Sequence, residues 1–144
     1  MSATGVTLTP QDAVIYLMVM AAAADGRIQN SELRTIGRVV RSFPLFSDRD
    51  EQHLVETAEA CGELMSGANG LHAVLDAAKA AIPAHLAETA YAGAVDVVTA
   101  DETLDPTEIR ILTLIREALG VSDAGAEAIE HAARARHMTL DRPN

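Results

Sequence analysis

The chain has 144 residues, 49% of them hydrophobic but only 3% aromatic, with no Trp, which fits one domain able to bury a core of Ala, Val, Ile, Leu and Met without covalent staples. A formal charge of -10 and a pI near 4.8 exclude a protein that reads the nucleic-acid backbone and leave cations and basic protein surfaces as fitting partners. Cys61 is the one cysteine, which excludes an internal disulfide and agrees with a reducing cytosol.

Met1 to Leu8 read as a lead-in, after which Thr9-Pro10-Gln11-Asp12 supplies a hydroxyl cap, a proline in the first turn and an acid. A first helix is predicted to run to about Ala24, with almost no polar face from Ala13 to Met20, as expected of a central, buried helix. The apolar run Ala13 to Ala24 is too short to cross a bilayer, and no Lys or Arg precedes it as a secretion leader requires. A cytoplasmic protein without membrane insertion is expected.

Helix 2 follows the break at Asp25-Gly26-Arg27, turns Leu33, Ile36, Val39 and Val40 to one side and stops before Pro44. Helix 3 is predicted from about Ser47 with Leu54, Ala58, Cys61 and Met65 inward, and Gly67-Ala68-Asn69-Gly70 reads as a loop. Helix 4 carries Leu71, Val74, Leu75, Ala78 and Ile82. Helix 5, Ala84 to Ala100, is apolar nearly all round, like helix 1. Helix 6 follows Asp105-Pro106 with Ile109, Leu112, Ile115 and Leu119 inward and closes at Gly120, and helix 7 opens near Ser122. The fold class is therefore all-α with about seven helices and no strand, one domain over 1–144 with its core at about residues 10–135 and short flexible ends.

The segment Ala24 to Arg34 lies over Ala100 to Arg110 at a single offset, pairing Asp25 with Asp101, Ile28 with Leu104, Glu32 with Glu108 and Arg34 with Arg110. An internal duplication of a three-helix unit follows, with helix 4 as connector. Two copies in one domain pack readily about a local two-fold axis, which would turn the acidic loops toward each other.

Asp25-Gly26-x-Ile28-x-x-x-Glu32 has the spacing of the second half of a calcium-binding EF-hand loop, but Ala21 and Ala23, and Val97 and Thr99 in the second copy, stand where such a loop needs oxygen ligands. A complete single-loop site is excluded. A site shared between copies survives, with Asp25, Glu32, Asp101 and Glu108 as candidate metal ligands for a hard divalent cation. Two carboxylates about 6 Å apart repel by roughly 3 kcal/mol at an effective dielectric near 20, so a partly buried cluster favours a cation. The alternative is purely structural. Asp105-Pro106-Thr107-Glu108 reads as a capping box, Glu32 stands in an equivalent first turn, and Asp25 and Asp101 fit Asx turns. Arg34 and Arg110 are placed to neutralise the opposite copy's Glu. Both readings stand on the sequence.

Ala-Asp-Gly-x-Ile-x-x-x-Glu after an apolar helix, then Ala-Asp-x-x-Leu-x-Pro-x-Glu in a second copy and Leu119-Gly120-Val121 beyond it, together resemble the TerB-like family of tellurite-resistance proteins over roughly Pro10 to Ala135. The resemblance implies an all-helical, cytoplasmic, non-enzymatic module in tellurite and stress resistance, with metal binding at Asp25, Glu32, Asp101 and Glu108. Calcium is the favoured ion, with magnesium and zinc as alternatives, and a protein partner or a homodimer fits the role. The alternative within the same fold is an interaction scaffold without metal. Glu102, where the first copy has Gly26, implies a differently shaped second loop or an added ligand.

The five histidines, His53, His72, His85, His131 and His137, lack zinc-site spacing. Cys61 falls on an apolar helix face as a buried, inert thiol, and Asp96, inside the apolar helix 5, needs a partner, an Arg or the proposed ion. No catalytic triad, phosphate loop or dinucleotide motif is present in the sequence, and no catalytic residue is assigned.

Overall fold

The structure is a computed structural model that describes residues 8–23, 28–48, 51–100 and 106–141, with Glu51 described in its backbone alone. Seven α-helices follow one another: α1 Pro10–Ala22, α2 Asn30–Ser42, α3 Glu51–Met65, α4 Gly70–Ala81, α5 Ala87–Ala100, α6 Pro106–Leu119 and α7 Asp123–Arg136. Among the described residues there is no strand, and the all-α class expected from the sequence is the one observed.

The helix ends follow from local chemistry. Thr9 Oγ1 accepts from the Asp12 amide at 3.1 Å, and Ser122 Oγ accepts from the Gly125 amide at 3.0 Å, so each hydroxyl satisfies one of the free donors of its first helical turn. At the other end of α6, Gly120 takes φ of +72°. Its amide donates to the Glu117 carbonyl and that of Val121 to the Arg116 carbonyl, both at 3.2 Å, a paired closure that needs the left-handed residue glycine supplies. Gly70 is required by space instead, because a Cβ there would stand 1.9 Å from the Met65 carbonyl oxygen.

Three expectations are corrected in detail. Pro44–Phe46 and Ala84–Leu86 form short 3₁₀ turns, so α3 begins at Glu51 rather than Ser47 and α5 at Ala87 rather than Ala84. In both cases a proline at or just before the start of the segment favours a tight turn over continued α-helix. On α6 the buried residues are Ile111 and Ile115, whereas Ile109 is 49% exposed. Positions 111 and 115 are one turn apart, and 109 lies on the far side of that stripe.

Every residue of α1 from Ala13 to Ala21 is buried, as is most of α5. These two helices form the centre. α1 packs on α5 and also on α2, α3, α4 and α6; α5 packs in turn on α6, α7 and α2. Each central helix thus touches its own following helix and the one that follows its counterpart. Gly93 brings α5 close to α1, where a Cβ would come within 3.3 Å of Met18 Cε. Small residues such as Ala90, Ala94, Ala126 and Ala133 are fully buried at the helix contacts, and each Leu, Ile or Met buried among them contributes about 1.5–3 kcal/mol.

Candidate functional site

The N-terminal turns of α2 and α6 line one cleft at the ends of α1 and α5. This cleft of about 310 Å³ is lined by Gln29, Glu32 and Thr35 from one side and by Val97, Ala100 and Glu108 from the other. The two glutamates paired by the sequence offset therefore share one cavity. Both are half-buried and occupy first helical turns, where the helix dipoles favour negative charge.

Glu32 already has a local task. Its Oε1 accepts from the Gln29 backbone amide at 2.8 Å, which satisfies a donor at the start of α2 and leaves Oε2 for another partner. The Ser31 and Thr35 hydroxyls also line the cleft. The Thr35 hydroxyl donates to the Ser31 carbonyl at 3.1 Å and accepts from Arg38 Nη2 at 3.3 Å, so the carboxylates and the Ser31 hydroxyl are the oxygens of a kind that suits a hard cation rather than zinc. Among the described residues no group of three or more His, Cys, Asp or Glu is arranged to hold a metal ion. Asp25 and Asp101, with Gly26, Glu102 and the expected Asp105 cap, lie outside the described residues.

The expected role of Arg34 and Arg110 as neutralisers of the opposite glutamates is corrected. Arg34 lines the groove between α2 and α3, and Arg110 lines a cavity with Leu71, Leu75 and Leu114. On a helix start, the Arg two residues after the Glu is rotated about 200° from it, so the two side chains cannot serve one cavity.

A family model for the tellurite resistance protein TerB matches residues 11–131. The chain belongs to the TerB family. The match takes in both central helices of this TerB-family protein, the cleft between its two glutamates, and most of α7. Comparison with curated proteins and with solved structures returns no match.

The remaining polar candidates resolve into structural pairs. Asp96, 5% exposed, receives Arg136 Nη2 at 2.6 Å and lies 3.3 Å from His137 Nε2. Arg was one of the two partners anticipated for it. His53 Nε2 lies 2.9 Å from Asp12 Oδ1, joining α3 to the first turn of α1. Cys61 is buried against the Tyr16 carbonyl, and burial pushes its thiol up to about 12, so it carries no nucleophilic thiolate at neutral pH. Tyr91 is raised above its ordinary range by burial and then by its 2.6 Å hydrogen bond to Glu130. No helix among the described residues is long and apolar enough to cross a membrane.

Sequence reasoning did not single out one surface feature, the arginines of α2. Arg34, Arg38 and Arg41 fall at i, i+4 and i+7, and that spacing was the available signal.

Proposed function

We propose that this TerB-family chain is a non-enzymatic, cytoplasmic module of tellurite and stress resistance that holds a divalent cation, calcium by preference, between two acidic loops. The observation that carries the reading is the shared cleft: Glu32 and Glu108 line the same 310 Å³ cavity. Half-buried carboxylates in one cavity repel more strongly than in bulk water, and a cation relieves that repulsion. Asp25 and Asp101 would complete the ligand set, with hydroxyls, backbone carbonyls and water as further oxygens. The reciprocal packing of α1 with α6 and of α5 with α2 supports a duplicated unit as the origin of this convergence. When bound, the ion would supply positive charge that ties the start of α2 to the start of α6, fixing a surface for a protein partner or a second copy.

The cap bond from the Gln29 amide to Glu32 favours a second reading, an interaction scaffold in which the acids only terminate helices. Thermal unfolding in calcium, in magnesium and in EDTA separates the two. An ion bound only by the folded state adds about 2.7 kcal/mol at a hundred times its dissociation constant and raises the midpoint accordingly. The shift is expected in calcium and expected to vanish when Asp25→Asn and Asp101→Asn are combined. An unchanged midpoint in every condition would leave the scaffold reading standing, and a shift that survives the double substitution would place the ion elsewhere.

A further inference from the structure

The chain carries a net charge of -10, yet residues 27–49 hold Arg27, Arg34, Arg38, Arg41 and Arg49 against only Glu32 and Asp48. Three of these arginines stand on α2 at i, i+4 and i+7, so they project from one face over about 10 Å of helix. That face borders a groove of about 840 Å³ between α2 and α3, whose lining includes Arg34, Arg38 and Arg41 with Leu33, Leu54 and Val55 and no carboxylate among the described residues. All three arginines are exposed, and none has an ion pair among the described residues. Arg38 Nη2 is held by the Thr35 hydroxyl at 3.3 Å. At the groove floor is Gly37, where a Cβ would stand 3.6 Å from Leu54 Cδ2 and 3.4 Å from Arg41 Nη1, so Arg41 lies back over the α2–α3 junction.

We propose that the α2–α3 groove is a docking site for an acidic, part-apolar helix of a protein partner. Charge complementarity selects the occupant. An arginine row with no ion pair among the described residues, on an otherwise acidic protein, attracts carboxylates, and the planar guanidinium binds them through two parallel hydrogen bonds. The half-buried Leu33 and Val55 give the groove an apolar strip beside the charges, which suits a helix with alternating Glu and Leu ridges laid into a groove. A phosphate backbone fits less well, since it offers nothing apolar to that strip. This groove adjoins the cleft of Glu32 and Glu108, with Ser31 and Thr35 lining both, but its test, run in EDTA, does not depend on any cation.

The full chain is titrated, in EDTA, into a fluorescent synthetic peptide of about 14 residues, matched to the 13-residue α2, with Glu at i, i+4 and i+7 and Leu on the adjoining ridge. Saturable anisotropy is expected, weakening as salt rises from about 0.05 to about 0.5 M. Binding is expected to fall roughly tenfold or more in the combined Arg34→Gln, Arg38→Gln and Arg41→Gln variant. Exposed Arg→Gln changes leave the fold intact, which circular dichroism checks, and the single Arg38→Gln variant should give an intermediate loss. Equal affinity for wild type and the triple variant overturns the proposal. So does binding of a scrambled peptide or of single-stranded DNA of equal charge as tightly as the designed helix, and so does a self-association that the three substitutions abolish while the peptide fails to bind.

Discussion

The Arg136 guanidinium reaches the Asp96 carboxylate at 2.6 Å, tying the last turn of α7 to the interior of α5. The pair is unequal: the Asp96 side chain is 7% exposed and that of Arg136 is 51% exposed. The desolvation cost therefore falls almost wholly on the aspartate, while the arginine keeps much of its water. At the position of α1 that matches Asp96 by the sequence offset stands Met20, fully buried.

Removing the arginine leaves a buried carboxylate with His137 as its remaining neighbour within reach. Arg136→Gln is expected to cost about 1–3 kcal/mol, at the lower end of buried-pair losses because the guanidinium is half in solvent. Asp96→Met, which installs the residue of the matching α1 position, is expected to cost less than Arg136→Gln, since it removes the buried charge itself. Urea unfolding of both variants checks the order, and the reverse order would show that the aspartate has a stabilising role beyond its charge pair.

The alkaline limb of the stability curve should be set partly by Cys61 and Tyr91. Burial raises the Cys61 thiol from 9.0 to about 12 and raises Tyr91 above its ordinary 10.0, with Glu130 adding to the shift. Groups whose folded pKa is raised bind their proton more tightly when folded. Their contribution is fully present below the unfolded values and is lost as pH climbs through the folded ones. Stability is expected to decline from about pH 9 upward, and Cys61→Ala with Tyr91→Phe should flatten that decline. Native Cys61 should also react with a thiol reagent at pH 8 only at the rate of opening, and fast labelling without denaturant would contradict its burial.

Glycine positions make opposite demands. Gly70→Ala is expected to destabilise by about 2–4 kcal/mol, because its Cβ has to displace the Met65 backbone. Gly62, inside α3 with nothing within 4 Å of a Cβ, should become more stable by about 0.5–1 kcal/mol as Gly62→Ala. Thermal midpoints of the two variants should move in opposite directions.

Glu32 separates capping from ion binding. Glu32→Gln keeps an oxygen for the Gln29 amide but removes the charge, so its stability in EDTA should fall by less than about 1 kcal/mol. Under the proposed function the same variant should lose most of the calcium-dependent rise in midpoint. Retention of the full rise would take Glu32 out of the ligand set.

Helix content, the caps at Thr9 and Ser122 and the closure at Gly120 were legible in the chain itself, because they depend on contacts within a few residues. The apolar runs of α1 and α5 likewise announced two central helices, since a helix without a polar face has to be enclosed. The offset pairing of Glu32 with Glu108 could be read from residue order, but their common cleft could not: it depends on how α1 crosses α5 and carries the starts of α2 and α6 together. Tertiary packing also decided which stripe of α6 is enclosed, leaving Ile109 in water, and that Asp96 is matched by Arg136 from 40 residues away. That Arg34 and Arg110 turn away from the glutamates follows from helix periodicity. Local hydrogen bonding and periodicity are written into neighbouring residues, whereas the partner of a buried charge and the walls of a cavity are set by elements that meet only when the chain has folded.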